Sequence, residues 1–448
     1  MASPDLSPDA PPADHKREIF GWTMYDWANS AFSTTVATTL LGPYLTSLAV
    51  AQGGVNIFGI IIHPNSFFTY CVSISVFLQV FFLPILGAIA DYSNLKKRMM
   101  LLFAYTGAGA TIALFLVQGN LALLGGLLFI IANLSFGAAI IFYNAFLPEI
   151  ARPEERDAVS SRGFAFGYLG GGLLLLVNLI LFNVMSANDQ GGLAVRISLA
   201  SAGVWWLAFT YFFPHRRLKQ RRPSRILPEG ESYLSHSIKQ LRTTLSELLN
   251  QYPMSLRFLV AYLIYNDGIQ TVIVVSSLFA AVELGVSNST LIILILVIQF
   301  VAVGGALLFG RIAQWVGTKR AIMISLVIWS AIVIFAFAFL YEEWQLWVLG
   351  VAVALVLGGS QALSRSLFSQ MIPTGREAEY FGFYEISERG TSWIGPFVFG
   401  FVAGETGSQR LAIVSLIIFF VVGLFLLTRV NIRQAILEAG HDPDRVVG

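Results

Sequence analysis

Asp26 stands inside an apolar, helix-length run, Phe20 to Val36, reading FGWTMYDWANSAFSTTV. Residues three and four apart share a helix face, so Trp22, Asp26, Asn29 and Ser33 form one polar stripe on a greasy cylinder. A carboxylate at the centre of a bilayer costs about 3 kcal/mol, so it must face a bundle interior or a water-filled cavity. Two chemistries are open to it there. It can exchange between charged and neutral forms and so carry a proton, or it can be a structural acid paired with a buried base. The preceding bases, Lys16 and Arg17, are roughly two to three helical turns away. Tyr25 and Asn29 beside it can bind a solute or hold the acid in place.

Asp267 repeats the situation in a later run, with Tyr262, Asn266 and Gln270 as neighbours. It lies about 15 Å into its helix, near the bilayer midplane, with no base within a turn. Solute binding, proton binding and a salt bridge to another span are all open for it. A third constellation is Arg365, Glu385, Glu388 and Arg389. Glu385 and Arg389 are spaced as a favourable i, i+4 pair, which leaves Glu388 over, while Arg365 falls at a similar depth in the preceding span. One reading makes Arg365, Glu385 and Arg389 a buried ion network stapling two spans. The other makes an arginine a fork for a solute carboxylate. Asn144 is a single polar residue in a further apolar run, either interhelical glue or a cavity group.

What is missing narrows the class. The five histidines (15, 63, 215, 236 and 441) fall in tails and loops, and Cys71 is the one cysteine. No metal site, disulfide framework or nucleophile, base and acid cluster is indicated, so neither an enzyme nor a cofactor is expected. Glycine strings such as Gly170-Gly171-Gly172 lack the Lys-Ser or Lys-Thr of a phosphate loop.

The elements that must carry these residues are membrane spans. Of 448 residues, 56% are hydrophobic and only 12% charged, about half the charge of a soluble chain. Runs long enough to cross about 30 Å of hydrocarbon give an all-α integral membrane protein of twelve transmembrane helices in two pseudo-symmetric six-helix bundles. The expected parts are a disordered tail over 1–18, a first bundle over 19–213, a basic linker over 214–253, a second bundle over 254–430 and a tail over 431–448. The linker contains an amphipathic run, 234–249, expected to lie along the membrane surface. Among Lys and Arg, only Arg196, Arg365, Arg389 and Arg410 depart from the tails and the loops after even-numbered spans. That asymmetry puts both termini in the cytoplasm, with a plasma membrane as the site if the source is bacterial.

The halves echo each other, as transporter repeats do. Gly87-Ala-Ile-Ala-Asp91, followed by Lys96, Lys97 and Arg98, ends span 2, and Gly310-Arg-Ile-Ala-Gln314, followed by Lys319 and Arg320, ends span 8. Tyr25-Asp26 in span 1 answers Tyr265-Asn266-Asp267 in span 7. Gly87 permits close helix contact. Asp91 can accept hydrogen bonds from the free amides at a neighbouring helix N-terminus. With the bases behind them, the two form a cytoplasmic gate or a topology signal.

With these residues laid out, the chain resembles the major facilitator superfamily from about residue 18 to 431. The loop after Gly87 departs from the superfamily signature: Tyr92 and Leu95 stand where bases are usual, and Asn94 where glycine is. Within the superfamily it resembles the autophagy-related vacuole-effluxer-like family through YDWANSAF (25–32), LPEIARPEER (147–156), GFAFGYLGGG (163–172) and QALSRSLFSQMIPTGREAEYFGFYEISERGTSWIGP (361–396). The resemblance implies that spans 1 and 7 line a central cavity, so that Asp26 and Asp267 would face each other across it. It also implies a solute transporter, with neutral amino acids the first substrate class. Beside it, the residues lead to the expectation of a secondary transporter of small polar solutes, a monomer without nucleic acid, with proton coupling through Asp26 as a hypothesis resting on that one buried acid. Export of amphiphilic compounds and a non-transporting sensor or scaffold are the alternatives.

Overall fold

The computed structural model describes residues 15–221, 227, 233–389 and 394–443. Among the described residues ten helices are long and apolar enough to cross a membrane, and spans 1 and 11, given below, complete the twelve. Spans 2 to 6 are Pro64–Tyr92, Lys96–Ala113, Ala122–Ile150, Arg156–Ser186 and Gly191–Phe212. Spans 7 to 10 are Pro253–Leu284, Asn288–Val316, Thr318–Ala338 and Glu343–Ser369. Span 12 is Gln409–Ser415 continued by Ile417–Thr428.

Span 1 runs as His15–Ala31, then widened turns over Phe32–Leu40, then Leu41–Ala51. In the widened stretch Thr38 and Thr39 donate their hydroxyls to Ser33 O and Thr34 O, five residues back, at 2.8 and 2.7 Å. Side chains thus take backbone acceptors that a regular helix would fill, the usual cause of such a bulge. Beyond it, Val55–Ile57 and Ile60–Ile62 form an antiparallel hairpin, with Val55 opposite Ile62, that leads into span 2.

Span 11 is described over Glu377–Arg389 and Ile394–Thr406, and residues 390–393 lie outside the described ones. Pro396, in the first turn of the second piece, has no N–H to bond backwards. The amide of Gly395 is taken instead by Asp267 Oδ2 at 2.8 Å. One buried acid of span 7 therefore ties span 7 to span 11.

Two further expectations change. The first tail does not extend to residue 18: the helix begins at His15, and buried Glu18 accepts from Lys219 N and Arg221 Nη2, each at 2.9 Å. Residues 1–14 lie outside the described ones. The linker helix, Tyr233–Asn250, expected along the membrane surface, packs one of its faces on the protein. That face, with Ser237, Thr244 and Leu248 buried, meets span 2 and the start of span 11, and Leu245 and Leu249 stay exposed. The reason is Arg376, 2% exposed, whose guanidinium bonds Glu379 of span 11 and also Thr244 and Glu247 of the linker helix. A buried base of this kind needs every partner within reach.

The linker helix, the start of span 1 and the tail helix Ile432–Glu438 share one end of the molecule, called the linker face below. There Glu438 Oε2 accepts from Met254 N at 3.1 Å, which ties the tail to span 7.

Candidate functional site

A cavity of about 930 Å³ lies between the halves. Its lining reaches Thr38, Phe68, Leu340 and Leu346, toward the span ends remote from the linker face. Asp26 and Arg365 lie at the other end of the lining, toward the linker face.

The floor is a polar chain crossing both halves. Tyr143 donates to Asp26 Oδ2 at 2.6 Å, and Nη1 and Nη2 of Arg365 reach the same oxygen at 3.3 Å each. Arg365 also donates through Nε to Ser160 Oγ at 2.9 Å and through Nη2 to Ser160 O at 3.0 Å. Its Nη1 reaches Asn144 Oδ1 at 3.4 Å, and Asn144 Nδ2 donates to Glu385 Oε1 at 3.0 Å. Trp22 and Phe164 cover the guanidinium, with ring centroids 4.7 and 4.3 Å from its central carbon. Trp22 is itself stacked on Tyr143 and donates to Tyr143 O at 2.8 Å. A desolvated cation over aromatic faces gains about 2 kcal/mol per contact, which offsets part of the cost of burying the base.

Span 5 reaches span 1 closely enough for this chain because of Gly163. A Cβ there would stand 2.5 Å from Asp26 Oδ2 and 3.0 Å from Arg365 Nη2. Gly163→Val is therefore expected to push the pair apart and to cost about 2 kcal/mol, as overpacking does. Thermal unfolding of the purified variant checks this; an unchanged midpoint would show that the floor has slack.

The sequence-selected residues divide. Asp26, Asn29, Asn144, Gln270, Glu388, Arg365 and Glu385 line the cavity. Tyr25 sits behind it, fully buried beside Tyr143, and Tyr262 is stacked on Tyr384. Asp267 does not face Asp26 across the cavity: it turns to Gly395, while Asn266 Nδ2 donates to Glu388 O at 2.9 Å. Both side chains turn to span 11 because the backbone groups of Gly395 and Glu388 take them as partners. Arg365 meets Asp26, a partner that spacing along the chain did not suggest. The side chain of Arg389, and with it the expected Glu385 pair, lies outside the described residues. Tyr143, Ser160 and Phe164 were not singled out as site residues; Tyr143 and Phe164 adjoin or fall within stretches that were. Among the described residues no His, Cys, Asp or Glu group is placed to hold a metal ion.

The linker face is closed by a second set of bonds. Asp91 accepts from Ala378 N at 3.1 Å and Glu379 N at 2.8 Å, at the start of span 11. Gly87 lies one turn away, where a Cβ would run into the Ala378 carbonyl. Lys96 Nζ is 2.7 Å from Glu149, 3.7 Å from Asp91 and 3.8 Å from Glu377. Arg156 Nη1 donates to Ser369 O at 2.9 Å, and Thr318 to Asp157 at 2.6 Å. The matching Gly310 packs on Ser161 of span 5. Lys97 and Arg98 stand apart: Lys97 gives its backbone amide to Gln220 at 2.9 Å, and Arg98 is exposed.

Twelve spans in two halves, a central cavity and inter-half bonds at one end define a transporter of the major facilitator superfamily type. Solved structures share the fold. FucP in its outward conformation superposes with a TM-score of 0.68 at 12% identity, over 94% of this chain and 99% of that one. The human organic anion transporter MFSD10 (TETRAN) does so with 0.66 at 17% identity, over 93% and 100%.

More narrowly, the chain belongs to the family described as "Vacuole effluxer Atg22 like", which it matches over residues 14–440. It is 32% identical over 412 residues to an "uncharacterized MFS-type transporter YxiO" of Bacillus subtilis (strain 168), covering 91% of this chain and 93% of that one. It is 26% identical over 497 residues to "Autophagy-related protein 22-1" of Aspergillus niger, covering 92% and 79%.

Proposed function

We propose that this membrane transporter is a secondary active one for small polar organic solutes, neutral amino acids first among them, with a proton carried on Asp26. The observation that carries the reading is the Asp26–Arg365 pair, which joins the halves at the end of the cavity toward the linker face. Alternating access rocks one half against the other around such a site. Opening toward the linker face parts Asp26, on the first half, from Arg365, on the second. A carboxylate left alone in a water-poor cleft is neutralised by a proton, so the conformational step and protonation are linked. The positive residues clustered around the linker face support the reading that this face and both termini are cytoplasmic.

Solute counterflow in proteoliposomes tests this, with an amino-acid panel, with and without a pH gradient, on the wild type and on Asp26→Asn. The expected result is that a neutral amino acid accumulates, and that in the variant exchange persists but the effect of the gradient is lost. Full gradient dependence in Asp26→Asn would remove the acid from the coupling. A second reading, export of amphiphilic compounds, is favoured by the size of the cavity and by Phe68, Ile140, Leu294 and Ile298 along its walls. Flux of amphiphiles with none of any amino acid would replace the first reading with this one.

A further inference from the structure

We infer that Arg365 is the receptor for a carboxylate on the transported solute, which takes the place of Asp26 on the guanidinium. The inference rests on the transport reading above and names the group on the solute that the site recognises. Ser160 holds the Nε side of the guanidinium through its hydroxyl and carbonyl, and Trp22 and Phe164 hold the plane. The base is therefore fixed in orientation, with its Nη1 and Nη2 edge toward Asp26.

That edge is weakly filled. Both nitrogens share one oxygen, Asp26 Oδ2, at 3.3 Å, whereas a full guanidinium–carboxylate fork has two parallel bonds of about 2.7–2.9 Å. Asp26 is kept from the forked geometry by the shorter bond from Tyr143, 2.6 Å, to the same oxygen. A solute carboxylate has no such tether. It enters from a cavity that both residues line and can place two oxygens on the two nitrogens.

One guanidinium cannot neutralise two carboxylates on a floor this poor in water. Asp26 therefore takes up a proton as the solute carboxylate binds: a simple monocarboxylate and its proton arrive as a neutral sum, and a zwitterionic amino acid with its proton brings one net positive charge. Above the floor Ile140, Leu294 and Ile298 offer an apolar wall. The class of ligand is a monocarboxylate with an apolar tail, with an α-amine as an optional second group.

Isothermal titration of the full-length protein in detergent tests this with three probes: leucine, leucinamide and 4-methylpentanoate. Proton uptake is followed by a pH dye in weak buffer. Leucine and 4-methylpentanoate are expected to bind with uptake of a proton, and leucinamide at least about tenfold more weakly, the loss of a charge-assisted fork. Asp26→Asn is expected to bind both carboxylates without proton uptake. Arg365→Lys, which keeps the charge and loses the fork, is expected to weaken both by about tenfold or more while its thermal midpoint reports that it is folded. Equal binding of leucinamide, unchanged binding in Arg365→Lys, or no binding of either carboxylate at millimolar concentration overturns the inference. The two readings fail separately: leucinamide carried across liposomes as well as leucine keeps transport and removes the carboxylate receptor. Carboxylate binding without any flux does the reverse.

Discussion

Arg376→Gln is expected to release the linker helix from the linker face and to destabilise the folded protein by about 3–5 kcal/mol, the cost of leaving one side of a buried ion pair unmatched. The base is 2% exposed and Glu379 is fully buried. Arg376 is what joins Glu379 to Glu247 and Thr244 on the linker helix. Without it two carboxylates share a pocket with one hydroxyl. Ser237, 1% exposed on the docked face of the linker helix, reports the release. In a background where the sole cysteine is removed (Cys71→Ala), Ser237→Cys is expected to react slowly with a soluble maleimide. Adding Arg376→Gln should raise that rate by a hundredfold or more, the size set by the same ion-pair cost. Removing both acids as well, with Glu247→Gln and Glu379→Gln, should restore much of the stability, since the charge imbalance is then gone. A maleimide rate that does not move with Arg376 would show that the helix is held by something else.

What the sequence could and could not reveal follows the range of the interactions. Apolar runs are local, so twelve crossings are countable from composition alone. The partner of Asp267 is not readable that way, because Gly395, whose amide it accepts, lies 128 positions away. For the same reason Asp267 resembled a cavity acid: depth along a helix is readable, but the direction in which a side chain is drawn depends on the neighbour's unsatisfied groups. The partner of Asp26 was hidden by distance too, since Arg365 lies 339 positions on. Amphipathicity of the linker helix was visible, yet a two-faced helix can lay either face on protein. Here the buried Arg376 and Glu379 draw in the face that carries Thr244 and Glu247, with Leu248 buried beside them. Gly87 and Asp91 were easier, because a glycine one turn before an acid at a span end suits close contact with another helix's first turn, whichever helix that is.

Asp91→Asn is expected to bias the transporter toward a state open at the linker face. Both carboxylate oxygens of Asp91 are used, one by Ala378 N and one by Glu379 N. The amide oxygen of Asn replaces only one of them and turns an N–H₂ group toward the other backbone N–H. The favourable charge at the start of span 11 is lost as well. Together these cost about 2 kcal/mol in the closed arrangement alone, roughly thirtyfold in the ratio of the two states. Spin labels read the shift. With Cys71 removed, a pair at Asn94 and Gln314, both exposed on the linker face, should move apart in the variant. A pair at Phe58 and Tyr341, exposed at the end remote from the linker face, should draw together. Movement in one pair without the other would mean local fraying of span 11 and not rocking of the halves. Asp91 and Arg376 both act on Glu379, the first on its amide and the second on its carboxylate. The two substitutions should therefore be less than additive in this distance change, because once the start of span 11 is free of one hold the other has less left to secure.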